Sequence, residues 1–298
     1  MDLSIDFVEI WAWQITALDF VLSVALVVGL RKLTGFAANL DTTKELAERD
    51  NFAFGVSLAG AIFALSLMLT GVLTGDVSTS LQQEAMLLIG YGVLGLILIN
   101  VGRFVLDRWI LRGIEIQQEI KNANLSVALV DVANVVATGI ILRAVLGWVD
   151  GDQLTSVIAV LATFVVTQVI LSLVSYSRVF IFAKRNIGLD WQQEIAKGNS
   201  ALALRYMGHV IAAALAVTAA SGIAIYNQDD LLYSLLMWAM SAIDLVLIVT
   251  LFSFIARKII LKGIDVVAEV DRQQNIGVAT IEASIYLSIG LLLIALLA

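Results

Sequence analysis

Cysteine and proline are both absent from this sequence of 298 residues, and histidine occurs once, as His209. Without cysteine there can be no disulfide, no thiolate nucleophile and no cysteine-ligated metal or cluster. A single histidine argues equally against a histidine-rich metal site. Because proline is missing, no helix carries a proline kink, and the broken helices of many transporters lose their usual sequence signal.

Charged residues are also few, at 14% of the chain, whereas hydrophobic residues make up 60%. Such a composition has more apolar surface than a soluble core of this size can bury, and it indicates a membrane protein. The formal net charge of −7 argues against nucleic acid as a partner. Eight apolar stretches are long enough to cross about 30 Å of hydrocarbon as helices, namely Ile10–Leu30, Phe52–Leu73, Ala85–Phe104, Asn124–Leu146, Ser156–Val179, Ala201–Tyr226, Leu231–Ile255 and Ile276–Leu297.

A short motif recurs four times with a period of 74 to 75 residues. Each copy has a glutamate in a charged linker and an asparagine that begins the next apolar stretch, as in Glu45 with Asn51, Glu119 with Asn124, Glu194 with Asn199, and Glu269 with Asn275. Because every unit contains two apolar segments, each unit ends on the membrane side where it began. The sequence therefore predicts an all-α, polytopic fold of four like-oriented two-helix repeats, grouped into two four-helix halves at residues 1–150 and 151–298.

The charges are divided by side. Of the 18 lysines and arginines, all except Arg143 and Arg205 fall in the linkers. By the positive-inside rule, the linkers are predicted to be cytoplasmic and both termini to lie outside. Two linkers, between Phe104 and Ile120 and between Phe254 and Val270, interleave apolar with charged residues, which is typical of amphipathic interfacial helices. The opposite loops and the amino-terminal segment carry acids instead, namely Asp2, Asp6, Glu9, Asp76, Glu84, Asp150, Asp152, Asp229 and Asp230.

The four asparagines stand where a linker turns into a span. Asparagine is a strong helix N-cap, because its side-chain oxygen accepts from the first free backbone N–H groups of the helix. Capping therefore accounts for Asn51, Asn124, Asn199 and Asn275. A cytoplasmic polar ring built from the four side chains is the alternative.

Four acids lie within apolar stretches, where each costs roughly 2.5–3.5 kcal/mol on insertion scales. Asp131 and Glu282 are both seven residues after a motif asparagine, and Asp19, Gln168 and Asp244 occupy related positions before the motif glutamates. Two interpretations remain open for the acids. In the first, the acids face a polar cavity between units, where they bind a cation or carry protons. In the second, they are structural groups that hydrogen-bond across helices or pair with Arg143, Arg205 or His209.

The two remaining cations and the histidine favour structural roles. Arg205 is near the cytoplasmic end of its helix and can snorkel, and Arg143 has Asp150 and Asp152 as exposed partners. His209 follows Arg205 by one helical turn, which would also suit a proton-handling pair. With no second histidine in the chain, packing and hydrogen bonding are favoured over metal binding.

The motif itself resembles a known family. Glu-Ile followed by asparagine and alanine, then a glycine-rich helix (Ser57-Leu-Ala-Gly60 and Tyr206-Met-Gly208), with Trp238 in the seventh helix, is similar to the bacterial YjfL-like domain of unknown function three-fifty. The resemblance covers nearly the whole chain as two tandem four-helix copies. It implies a bacterial inner-membrane location and gene neighbourhoods that contain phage-shock-type membrane-stress proteins, and it implies no established activity.

These observations lead to an expected function without catalysis, cofactor or metal. No nucleophile elbow or metalloprotease motif is present. We expect a multi-pass inner-membrane protein that acts in envelope homeostasis, with the lipid bilayer, a peripheral membrane-stress protein on the cytoplasmic face, and further copies of itself as partners. An ion or proton channel or transporter that uses Asp19, Asp131, Asp244 and Glu282 is the alternative. An intramembrane enzyme would need a serine or carboxylate beside His209 in a water-filled cleft.

Overall fold

The computed structural model describes residues 3–37, 41–75, 78–149 and 154–297, and within these ranges the chain is helical with no strand. Asp2, Asp76, Asp150 and Asp152, and the expected boundary between the halves, lie outside the described residues. The α-helices of the described ranges are α1 (Leu3–Ala37), α2 (Phe52–Leu73), α3 (Leu81–Val105), α4 (Ile116–Lys121), α5 (Leu125–Trp148), α6 (Leu154–Arg185), α7 (Trp191–Ala196), α8 (Ser200–Ala219), α9 (Leu231–Ile260) and α10 (Ile276–Leu297).

Eight helices of the described residues are long and apolar enough to cross a membrane. They are all of the α-helices except α4 and α7, which are short and belong to linkers. This confirms the predicted membrane class and the predicted number of candidate spans. Helices of this composition suit a lipid bilayer because a helix satisfies its backbone hydrogen bonds internally.

The second helix of each sequence repeat lies in a central row, in the order α2, α5, α8, α10, and each helix packs extensively on the next. The other four long helices, α1, α3, α6 and α9, flank this row. In the most apolar window of α5 and of α8, 78% of the residues are buried, compared with 11% in α1. The core of the molecule is therefore the middle of the row, where α5 meets α8.

Glycines bring the central helices close together. A Cβ on Gly139 of α5 would lie 2.5 Å from the carbonyl oxygen of Ala64 in α2. A Cβ on Gly208 of α8 would lie 2.5 Å from Cα of Ala283 in α10. In an apolar solvent, close van der Waals contact between backbones is a main source of helix association, and only small residues permit it. These two contacts fix the spacing at both ends of the row.

The same turn precedes each central helix. The residue before each motif asparagine has a left-handed backbone, with φ of 46° at Asp50, 62° at Ala123, 95° at Gly198 and 56° at Gln274. The asparagine N–H then donates to the carbonyl of the motif glutamate, at 2.8 to 3.1 Å in the four copies. A left-handed residue reverses the chain within one position, so the linker ends and the next helix begins without a loop.

The linkers are folded against the helices. In the second linker, Ile110, Ile116 and Ile120 are buried, and in the third, Trp191 and Ile195 are buried. Helix α4, which carries Ile116 and Ile120, and helix α7, which carries Trp191 and Ile195, both pack on α5. These residues are thus covered by protein, whereas most of the charged side chains of the two linkers are exposed. An aromatic group of Trp148, Tyr226 and Trp238 closes the opposite end of the bundle, with ring centroids 5.3 and 6.1 Å from Trp148.

We expect Gly139→Ala to lower the thermal unfolding midpoint of the detergent-solubilised protein, because the added methyl meets the backbone of α2, which cannot move as a side chain would. Overpacking of this kind costs about 1–3 kcal/mol. Gly90→Ala in α3 is the matched control, since its Cβ would meet nothing within 4 Å. Equal midpoints for the two variants would contradict the close approach of α2 and α5.

Candidate functional site

Each motif asparagine lies at the start of a central helix, and its Oδ1 accepts from backbone N–H groups of the first turn. The distances are 3.0 Å from Phe54, 3.1 Å from Ser126, 2.9 Å from Leu202 and 3.1 Å from Val278. Each side chain therefore satisfies donors that a helix leaves free at its beginning. The cap accounts for one half of the amide group.

The other half of the amide joins successive linkers. The Nδ2 of Asn51 donates to the Ile120 carbonyl at 3.0 Å, and that of Asn124 donates to the Ala196 carbonyl at 2.8 Å. The Nδ2 of Asn199 reaches the Asp271 carbonyl at 3.4 Å. In the described residues each of these three asparagines binds the backbone of the next linker, whereas the Nδ2 of Asn275 donates to Glu269 of its own motif. The three side chains form a line of struts between successive linkers, rather than the polar ring of four asparagines given as the alternative.

Three of the four motif glutamates hold the amide group of their own asparagine. Glu45, Glu119 and Glu269 accept from the Nδ2 of their own asparagine at 3.1, 2.9 and 2.8 Å. Glu194 instead accepts from Nζ of Lys197 at 2.8 Å. A carboxylate that binds an amide N–H fixes which way the amide points, so the asparagine oxygen is turned toward the helix and its nitrogen toward the neighbouring linker.

A buried cluster joins three helices in the first half. Asp131 of α5 is 2% exposed. Its carboxylate accepts from Oγ of Ser57 in α2 at 2.6 Å, and from Nε and Nη2 of Arg103 in α3 at 2.9 and 3.0 Å. This bidentate pairing with arginine, together with the hydrogen bond from the serine hydroxyl, compensates the cost of removing a carboxylate from water.

An equivalent cluster joins three helices in the second half. Glu282 of α10 is 0% exposed. Its Oε2 accepts from Nε of Arg205 in α8 at 2.6 Å, and its Oε1 accepts from Nη1 of Arg257 in α9 at 2.7 Å. Arg205 is itself buried and does not snorkel as expected, because its Nη2 donates to the Val266 carbonyl at 2.8 Å. Each half therefore has an acid of one central helix held by a neighbouring central helix and a flanking helix.

Asp271 adds a second acid to the cluster of the second half. Its carboxylate pairs with Arg205 and accepts from Nδ2 of Asn186 at 2.8 Å. Burial raises the pKa of Asp271 above its usual value, and the charge of Arg205 and the hydrogen bond from Asn186 oppose this rise. Among the four motif copies, only this one has an acid two residues after the glutamate, since the others have Ala47, Lys121 and Ala196.

The contact between the two halves uses the same position of the repeat as the two buried acids. Tyr206 of α8 lies seven residues after Asn199, as Asp131 and Glu282 lie seven residues after theirs. Its buried hydroxyl is 2.9 Å from Nδ2 of Asn134 in α5 and 2.8 Å from Oγ of Ser175 in α6. At all three junctions of the row, the residue at this position contacts both the preceding central helix and a flanking helix.

Two cavities lie beside the charged clusters, one of about 200 Å³ in the first half and one of about 340 Å³ in the second. They occupy equivalent places, because many of their lining residues correspond between the halves. The corresponding pairs are Phe54 and Leu202, Ser57 and Arg205, Asn100 and Thr250, Phe104 and Phe254, Asp107 and Arg257, and Asp131 and Glu282.

The charges of the two cavities differ. The first is lined by one cation, Arg103, and two acids, Asp107 and Asp131. The second is lined by four arginines and two acids, namely Arg178, Arg185, Arg205, Arg257, Asp271 and Glu282. The same place in the fold therefore has excess negative charge in one half and excess positive charge in the other.

The other predicted polar residues do not join these clusters. Asp244 was expected to be buried, but it is exposed on the outer side of α9 between Ile243 and Leu247, because this flanking helix covers the row with its opposite side. Asp19 is half-buried in α1, and its Oδ1 has no hydrogen-bond partner among the described residues. Arg143 is exposed near the end of α5. The four acids thus do not converge on one space.

Gln168 and His209 lie in different surroundings from each other. Gln168 is half-buried in α6, near the backbone of Gly102 in α3. His209 is buried in α8, where its Nδ1 is 2.6 Å from the Arg205 carbonyl and its ring centroid is 3.9 Å from that of Tyr286. His209 also lines the second cavity. No group of three metal-ligating side chains occurs in the part of the chain that the structure describes.

Sequence reasoning missed the roles of five members of the clusters. Arg103 and Arg257 are counted there with the linker cations, Ser57 is named only as part of the family motif, and Asn186 and Asp271 are not named as site residues. A signal for Ser57 was present, since it is six residues after Asn51, as Arg205 is six residues after Asn199. For Asp271 the signal was its departure from the other motif copies.

Comparison with known families reveals the same tandem organisation. The family model described as Domain of Unknown Function (DUF350) matches residues 7–146 and again residues 152–297. These two segments correspond to the two tandem copies expected from the sequence. No curated protein and no solved structure matches the chain.

Replacement of Glu282 by alanine should leave the charges of Arg205 and Arg257 without their shared acid. Breaking a buried ion pair on one side costs about 3–5 kcal/mol, so we expect Glu282→Ala to lower the free energy of unfolding in mixed micelles by that amount. Glu115→Ala, at an exposed glutamate of the second linker, is the control. An equal loss in both variants would argue that the cluster does not hold α8, α9 and α10 together.

Proposed function

Because the chain belongs to the DUF350 family through both of its halves, we propose that it is a bacterial inner-membrane scaffold that acts without catalysis. Four two-helix units of one orientation stand side by side in the membrane, with the linkers in the cytoplasm and both termini in the periplasm. The linker surface engages a peripheral membrane-stress protein or the anionic lipid around it. This assigns the protein to envelope homeostasis.

The orientation rests on the distribution of exposed cations. Apart from Arg143, the exposed lysines and arginines of the described residues lie in or beside the linkers. Positively charged segments are retained on the cytoplasmic side during insertion. The residues are Arg31, Lys32, Lys44, Arg49, Arg108, Arg112, Lys121, Lys184, Arg185, Lys197, Lys258, Lys262 and Arg272.

The scaffold role rests on one observation above all. The two buried acids of the central helices, Asp131 and Glu282, lie in separate clusters, and each carboxylate is paired with arginine. A conduit for protons or cations would need acids along one continuous path, and paired carboxylates at helix junctions instead serve to hold helices together. Asp19 and Asp244, on flanking helices, belong to neither cluster. This arrangement favours a structural role for the buried charges.

A scaffold also needs a fixed surface, and the asparagine struts provide one. They tie the first linker to the second, the second to the third, and the third to the fourth. The exposed cations of the four linkers are thereby held in one arrangement, which suits an acidic protein surface or anionic head groups.

The proposed orientation can be tested with single cysteines, since the natural chain has none. In intact cells, an impermeant thiol reagent should label Asp229→Cys, in the loop before α9, and should leave Lys262→Cys unlabelled until the membrane is opened. The positive-inside rule is the reason for this expectation. Labelling of Lys262→Cys from outside would overturn the cytoplasmic position of the linkers.

The scaffold role can be tested by charge reversal in the second and fourth linkers. We expect a variant with Arg108→Glu, Arg112→Glu, Lys258→Glu and Lys262→Glu to recover at least about fivefold less cross-linked partner from native membranes, because rim charges govern encounter with a charged surface. Arg143→Glu, at an exposed cation away from the linkers, is the control.

Two results would contradict the scaffold. The first is equal recovery of partners by the linker variant and the wild type. The second is proton or cation flux in proteoliposomes that disappears when Asp131→Asn and Glu282→Gln are combined. That second result would establish the alternative of an ion or proton conduit.

A further inference from the structure

We propose that the cavity of the second half binds the phosphate-bearing head group of an anionic phospholipid. The cavity is about 340 Å³ and lies among α6, α8, α9 and α10. The inference does not rest on the proposed scaffold function, because it concerns the chemistry of this cavity alone. It follows from the charge of the lining, from an unsatisfied donor within it, and from the apolar side chains at its mouth.

The lining has more positive than negative charge. Arg205 and Arg257 are paired with Glu282, and Arg205 also pairs with Asp271. Arg178 and Arg185 of α6 add two further guanidinium groups, and neither forms an ion pair among the described residues. Adjacent like charges repel in a site of low polarity, so an anion that bridges them would stabilise the arrangement.

Arg178 also has a donor with no acceptor. Its Nε is buried and has no hydrogen-bond partner among the described residues. A buried donor left unpaired costs free energy, and such groups in native structures call for a ligand, an ion or water. A phosphate offers several acceptor oxygens, and the planar guanidinium binds two of them at once. Arg178 is half-buried, whereas Arg185 is exposed and therefore lies closer to solvent.

The apolar lining selects a lipid over a free phosphate ion. Leu247 and Leu251 of α9 line the cavity and are also 63% and 56% exposed, so the lining continues onto the outer surface of the helix. In a bilayer this surface faces acyl chains. Arg185 and Arg257 lie near the linker ends of α6 and α9, which is the depth at which head groups meet the hydrocarbon. An anionic phospholipid matches both the charged and the apolar lining, because its phosphate can lie among the arginines while an acyl chain packs along Leu247 and Leu251.

The first half provides an internal comparison. Its equivalent cavity has Ser57 in the place of Arg205 and Asp107 in the place of Arg257. With two acids and one arginine, it would repel a phosphate rather than bind it. We therefore assign the anionic lipid to the second half only.

Native mass spectrometry of the delipidated full-length protein tests the assignment. We expect phosphatidylglycerol to bind more tightly than phosphatidylcholine of the same chain length. Arg178→Gln and Arg185→Gln should each weaken phosphatidylglycerol binding by about tenfold, the effect of losing one charge-assisted hydrogen bond. Lys184→Gln is the matched control, because Lys184 is exposed next to Arg185 and does not line the cavity.

The outcomes separate the possibilities. Equal binding of the two lipids, or Arg185→Gln binding that equals the Lys184→Gln control, would overturn the site; Arg185 is exposed, so this variant is expected to fold even if Arg178→Gln does not. Inorganic phosphate that displaces the lipid at equal concentration would overturn the lipid assignment and indicate a free anion. Loss of binding in Asp107→Asn, which lies in the other cavity, would place the lipid in the wrong half.

Discussion

The structure depends on buried carboxylates that must be paired where the central helices meet. Lipid surrounds these helices with a solvent as apolar as their own side chains, so hydrophobic burial alone does not choose which helices become neighbours. Glu282 and Asp131 specify which helices are neighbours, because each carboxylate is stable in its position only if particular arginines reach it from adjacent helices. Glycine at the close contacts then sets the distance between helices, and the asparagine struts set the relation between linkers. Position along the row is thus determined by polar contacts, and the apolar surface fills the remaining space.

Much of the architecture could be predicted from the sequence, because length, hydropathy and a repeated motif are local properties. The number of candidate spans, the tandem halves and the equivalence of Asp131 and Glu282 all came from counting along the chain. The partners of the buried acids could not be obtained in this way. Arg103 and Arg257 look like linker cations until the rotation of α3 and α9 is known, and Asp244 looks buried until the packing order shows which side of α9 faces the row. Side-chain direction around a helix depends on contacts that are distant in sequence.

The two halves show how one backbone arrangement can hold different chemistry. The helices, the left-handed turns and the position of the buried acid are repeated, whereas the serine and aspartate of the first cavity correspond to arginines in the second. The geometry is retained because it is set by the acid and by the close helix contacts. The side chains that surround the acid differ between the halves, and the net charge of the cavity lining changes sign. A duplicated fold can in this way offer two sites of opposite preference in one protein.

The seam between the halves, where α5 meets α8, determines how much of the chain must fold together. Helices α5 and α8 are the most buried of the described helices. Three contacts join α5 and its first residue to α8 and the residues that flank it: the Asn124 strut, the hydrogen bond from Asn134 to Tyr206, and the bond from the Trp148 indole to the Ala224 carbonyl at 2.6 Å. This seam is bonded along its whole length, from the linkers to the far end. A chain that held one half alone would leave one side of its innermost helix bare, and would have to find a second molecule to cover it. The segment that the family match delimits is therefore a repeated stretch of sequence whose stability belongs to the pair.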